Sequence, residues 1–126
     1  MKREIDNVIR IPASLDGKFF QYWLEFLRPF HNLTNREIEV AAQIIKERYN
    51  LSKVIIDNEM IDKVLLSEET KRKIRTECNV SVAYFQVIMT KLRESRIFIN
   101  GKLNPKFIPN LSKDSKDFKL LLYFEL

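Results

Sequence analysis

The chain holds two glycines, Gly17 and Gly101, one cysteine, Cys78, and one histidine, His31. Two isolated glycines exclude a glycine-rich phosphate loop and a dinucleotide fingerprint, which need several glycines close together. One cysteine cannot bridge within the chain. A zinc site would need carboxylates in a pattern that the chain does not show. No apolar run approaches the ~20 residues that span a bilayer, and the basic start MKREIDNVIRIP lacks the apolar core of a secretory signal. These absences predict an intracellular protein with no metal, no cofactor and no enzymatic activity. Cys78 reads as a small packing residue, and His31, beside Asn32 in a helix connection, as a surface or capping group. Glu68 and Glu69 are explained by a helix start, where the helix dipole favours anions.

What is present is enough for a core. At 126 residues the chain is one domain's worth, able to fold without disulfides. Residues 1–66 hold ten Lys/Arg against ten Asp/Glu, whereas residues 67–126 hold twelve against seven, so the whole net charge of +5 lies in the second half. A basic half beside a neutral half suits a protein that shows one face to a polyanion, although an ordinary soluble surface gives similar numbers.

The element pattern is mainly α with small β. NVIRIP alternates as a short N-terminal strand ended by Pro12, and the apolar run FKLLLYFEL reads as a final strand, paired with NVIRIP or with a second subunit. Phe19, Trp23, Phe26, Leu27 and Phe30 recur at helical spacing up to Pro29, a stripe better suited to a core than to a ligand pocket or a dimer seam. LTNREI carries a capping box between Thr34 and Glu37 with a staple from Leu33 to Ile38, predicting a helix over 35–49. Its buried face is Ile38, Ala41, Ala42, Ile45 and Tyr49, and Glu37, Lys46, Glu47 and Arg48 are solvated. A connection follows near 50–58, with a short helical segment before Leu66. Ser67 opens a further helix with Ile74 and Cys78 inward and Lys71, Arg72, Lys73 and Arg75 outward. After a turn at 78–80, Ser81 caps the next helix, with Val80 and Phe85 at staple positions.

On that last helix, Phe85, Ile88, Met89 and Leu92 form the i, i+3, i+4, i+7 stripe of a core face. Ala83, Gln86, Val87, Thr90 and Glu94 fall opposite, flanked by Tyr84, Lys91 and Arg93. Small, amide and hydroxyl side chains suit base edges: Gln can pair with adenine, Thr and Ser bond several edges, and a methyl can meet thymine. Asn100-Gly101 is a two-residue hairpin signal joining Ile97–Ile99 to Lys102–Leu103.

A helix, a tight turn through Cys78-Asn79-Val80-Ser81 and a second helix have the layout of a helix-turn-helix. LTNREIEV is similar to the opening helix of LuxR-type DNA-binding domains, and IRTECNVSVAYFQVIMTKL resembles their scaffold and recognition helices, with Val80, Ser81, Phe85, Met89 and Leu92 at matching positions. About thirty residues separate the two segments, where that family has a much shorter link, so the chain is not placed in it. The hairpin after the last helix resembles the wing of winged helix-turn-helix proteins. That resemblance covers 33–108 and leaves 1–32 and 109–126 as extensions for packing or dimerisation. It implies a sequence-specific binder of double-stranded DNA, a transcriptional regulator of bacterial or phage type. Expected contacts are Lys71, Arg72, Arg75, Ser81, Ala83, Tyr84, Gln86, Val87, Thr90, Lys91, Arg93, Lys102 and Lys106, with a homodimer on paired half-sites. The alternative is a protein-interaction or assembly module on the same scaffold, an accessory factor or virion component, which Val87 and Glu94 on the outer face favour.

Overall fold

Four of the described helices start where a side chain satisfies an orphan backbone donor. The computed structural model describes residues 8–126. Helices α1 (Phe19–Phe26) and α2 (Arg28–His31) are followed by α3 (Asn35–Ser52), α4 (Asn58–Leu65), α5 (Glu68–Cys78) and α6 (Val82–Glu94). Strands β1 (Phe98–Ile99) and β2 (Lys102–Leu103) precede a 3-10 turn at Pro105–Phe107. Among the described residues the architecture is mainly helical with one small antiparallel sheet. The Thr34 hydroxyl accepts from the Glu37 N–H at 3.3 Å while the Glu37 carboxylate accepts from the Thr34 N–H at 3.0 Å, completing the capping box. Asp57, Ser67 and Ser81 cap α4, α5 and α6 in the same sense, each worth about 1 kcal/mol over alanine.

Helix α3 is the spine, packing against α1, α4, α5 and α6. It buries the five expected residues and also Val40 and Ile44, so its apolar face is wider than a simple stripe. Leu33 and Ile38 are both buried, as a staple requires. From α6 come Phe85, Ile88, Met89 and Leu92, and Ile97, Phe98, Leu103 and Phe107 from the hairpin region complete one continuous cluster. The segment after the hairpin returns to α1. Trp23 Nε1 donates to the Phe107 carbonyl at 2.8 Å, Tyr49 Oη donates to the Ser112 carbonyl at 3.1 Å, and Phe118 meets Phe19 and Trp23 edge-on. Buried polar tips are thereby satisfied while their rings fill the core.

Several expectations are corrected. Residues 8–12 of NVIRIP form no strand, and Asn7 lies outside the described residues. FKLLLYFEL forms none either, and Leu120–Leu126 is exposed. Neither segment pairs with the other among the described residues, and without a ladder partner a β-prone run has nothing to hold it extended in a sheet. The aromatic stripe is turned by one position: Phe20, Trp23 and Leu24 are buried, Phe26 is exposed, and Phe30 is 73% exposed. Pro29 does not stop the helix. Helix α1 already ends at Phe26, with Leu27 as its cap, and Pro29 sits in the first turn of α2, where a missing N–H costs nothing. Glu47 and Arg48 are not solvated. The Glu47 carboxylate, 6% exposed as a residue, accepts from Lys73 Nζ and Gln43 Nε2, both at 3.3 Å. Arg48 Nε lies 3.7 Å from Asp62 Oδ1, an ion pair too long for a hydrogen bond that ties α3 to α4. His31 is no surface group, being 4% exposed. Its Nε2–H donates to the Leu24 carbonyl at 2.7 Å and its Nδ1 accepts from the Leu33 N–H at 3.0 Å, so the capping role is the one it has.

Candidate nucleic-acid interface

The turn between α5 and α6 is built from a left-handed asparagine. Asn79 has φ 54° and ψ 53°, the Asn79 N–H donates to the Thr76 carbonyl at 3.2 Å, and the Val80 N–H donates to the Arg75 carbonyl at 3.0 Å. These two bonds are the Schellman ending of a helix, with Asn where Gly is commoner. Arg36, on α3, donates from Nη2 to the carbonyls of Cys78 at 2.5 Å and Asn79 at 3.1 Å, pinning the turn to the spine. Sequence reasoning missed Arg36, since no local signal links residues so far apart in the chain. Ser81 then accepts from the Tyr84 N–H at 3.1 Å and starts α6.

Helix α6 is divided as its periodicity predicts. Phe85, Ile88, Met89 and Leu92 are buried, whereas Ala83, Tyr84, Gln86, Val87, Thr90, Lys91, Arg93 and Glu94 are exposed. Val82, which the sequence reading did not single out, is 57% exposed on the same outer side and Val87 is 56% exposed. The polar groups there differ in what they have left to offer. Thr90 Oγ1 donates to the Gln86 carbonyl at 3.1 Å and accepts from Arg93 Nη2 at 3.2 Å. Lys91 Nζ lies 3.5 Å from Glu94 Oε2. The Gln86 side-chain amide makes no hydrogen bond among the described residues.

On α5 the four basic residues are not equivalent. Arg72 is exposed and has no ion pair among the described residues. Lys71 is half-buried with Nζ 3.6 Å from Glu68, and Lys73 is held by Glu47 at 3.3 Å. Arg75 lies over the Phe85 ring, its guanidinium carbon 5.7 Å from the centroid. An open cleft lined by Arg72, Arg75, Thr76, Asn79, Val80, Ser81 and Val82 joins the basic side of α5 to the start of α6. Cys78, half-buried beneath this turn, points Sγ at the Glu39 carbonyl at 3.9 Å, and burial pushes its thiol pKa up, keeping it protonated.

Beyond α6, Phe98 pairs with Leu103 and Ile99 with Lys102. Asn100 and Gly101 both have positive φ, 55° and 76°, as a type I′ turn requires. The Asn104 N–H donates to the Ile97 carbonyl at 2.7 Å and its side-chain amide to the Arg96 carbonyl at 3.0 Å, closing the base of the hairpin. Lys102 and Lys106 are exposed there, and neither side chain joins the cleft through a hydrogen bond or ion pair among the described residues. No group of three or more His, Cys, Asp or Glu among the described residues could hold a metal ion, and no described helix is long and apolar enough to cross a membrane.

No protein-family model, curated protein or solved structure matches the chain.

Proposed function

We propose that this chain is a non-catalytic, sequence-specific binder of double-stranded DNA with a winged helix-turn-helix core over 33–108, acting as a transcriptional regulator. The observation that carries the reading is α6 itself, a capped helix that buries one face and leaves the other projecting, with a cationic cleft at its start and a hairpin carrying Lys102 after its end. A helix held in this way fits a major groove, and Arg72 and Lys102 suit phosphates on either side. Lys71 lies 3.6 Å from the exposed Glu68 carboxylate, a weak pair that a phosphate could replace. The test is the salt dependence of binding to a mixed-sequence duplex. Arg72→Ala with Lys102→Ala should weaken binding to all duplexes alike and make the log–log slope shallower by roughly 0.9 for each phosphate that is no longer neutralised. An unchanged slope takes both residues out of the interface.

A second reading has its own observation. Val82, Tyr84 and Val87 expose apolar surface on the face assigned to the groove, which suits a protein partner on the same scaffold. A homodimer is also proposed, supported by the exposed apolar residues Val8, Ile9 and Ile11 and the exposed run Leu120–Leu126.

A further inference from the structure

We infer that the exposed face of α6 is built for A·T base pairs, with Gln86 addressing adenine and the methyl-bearing side chains around it addressing thymine. The inference deepens the DNA-binding reading above and rests on it. Guanine is most often read by an Arg or Lys that gives two hydrogen bonds to its O6 and N7, and cytosine by a carboxylate that accepts from its amino group. From Val82 to Thr90 the helix carries no Arg, Lys, Asp or Glu. Its cations Lys91 and Arg93 and its carboxylate Glu94 all lie in the last turn, and each is engaged along the helix: Lys91 with Glu94, Arg93 with Thr90. The groove-facing stretch is therefore electrically neutral.

What remains on it is the unbonded Gln86 amide, the exposed Tyr84 phenol on its flank, and a set of methyl groups. Gln offers a donor and an acceptor side by side, the complement of adenine N7 and N6–H. Ala83 is exposed three residues before Gln86 and four before the exposed Val87, so it adjoins both, and Ala83 and Val87 can meet the thymine C5-methyl, which projects only into the major groove. Thr90 joins them in an unexpected way. Its hydroxyl already donates to the Gln86 carbonyl and accepts from Arg93, so its single donor is used and the methyl, beside one remaining lone pair, is left for a partner. That bond also ties the position of Thr90 to the backbone of the residue that carries the amide.

The experiment measures binding of the full chain to four duplexes of equal length at one salt concentration. One is A·T-rich, one is G·C-rich, one is the A·T-rich duplex with deoxyuridine for thymidine, and one has 7-deazaadenine for adenine. The A·T-rich duplex should bind at least about tenfold tighter than the G·C-rich one, and removing either the methyl or N7 should lose most of that preference. Preference arising from a narrow minor groove would survive both changes, because both remove groups that face the major groove. Gln86→Ala should abolish the response to 7-deazaadenine, keep the response to deoxyuridine and leave the salt slope as it was. Duplex binding that is indifferent to both analogues overturns the A·T assignment and leaves DNA binding standing. Binding to none of the four at low salt overturns both.

Discussion

His31 shows how one buried side chain couples the fold to pH. Its ring must be neutral, because Nδ1 accepts from the Leu33 N–H while Nε2–H donates to the Leu24 carbonyl. Burial, the largest influence, lowers its pKa below the ordinary 6.5, so the unfolded chain takes up the proton first as pH falls. The stability held by the neutral ring is complete above the unfolded value and is lost as pH falls through the lowered folded one. Melting temperature should therefore drop on the acid side of 6.5 in the wild type and drop less steeply in His31→Gln. Equal slopes in a pH series of the two proteins would show that the ring does not titrate with folding. The sequence places this residue correctly as a cap but not as buried, since a lone histidine beside Asn32 gives no sign of the apolar floor that α1, Leu33 and Phe107 provide. Glu47 escapes a local reading for the same reason. Its partner Lys73 comes from another helix, and only tertiary packing brings them together.

At the level of elements, what is legible in the sequence is local. The caps at Thr34, Ser67 and Ser81, the buried stripe of α6 and the Asn100-Gly101 turn depend on neighbours within a few residues, and the structure has all of them. The terminal strands depend on a partner edge elsewhere in the chain, which periodicity cannot supply, and they do not form among the described residues. Helix α1 falls between these cases: its apolar residues are so dense that two adjacent stripes compete, and contact with α3 selects Phe20 and Leu24 over Phe26 and Phe30. Of the candidate site, the face of α6 is legible, but the hydrogen bonds that already occupy its polar groups are not. The division of α6 gives a direct check. Phe85→Ala should cost ~3–5 kcal/mol of stability, as a buried aromatic beneath the Arg75 guanidinium, whereas Gln86→Ala should change it by less than ~0.5 kcal/mol. Urea midpoints in the reverse order would mean that the faces have been exchanged.

On the scale of the whole molecule the exposed apolar ends matter most. If Leu120–Leu126 forms part of a homodimer contact, Leu121→Lys with Tyr123→Lys, both exposed in the single chain, should shift sedimentation toward the monomer and remove any dependence of the melting temperature on protein concentration. A wild-type protein that is monomeric both free and on DNA rejects the dimer. A different consequence follows from the corners of the chain. Five described residues adopt positive φ, and four of them, Asn32, Asn79, Arg96 and Asn100, are not glycine. A left-handed residue with a Cβ bears a local penalty that glycine would avoid, of order 1 kcal/mol, less for asparagine. In the denatured ensemble the balance reverses, because each Cβ removes backbone conformations that glycine would keep open. The chain thus meets these four turns with slight strain in the native state and begins folding from a coil that is stiffer there, with less entropy to lose at each of the four.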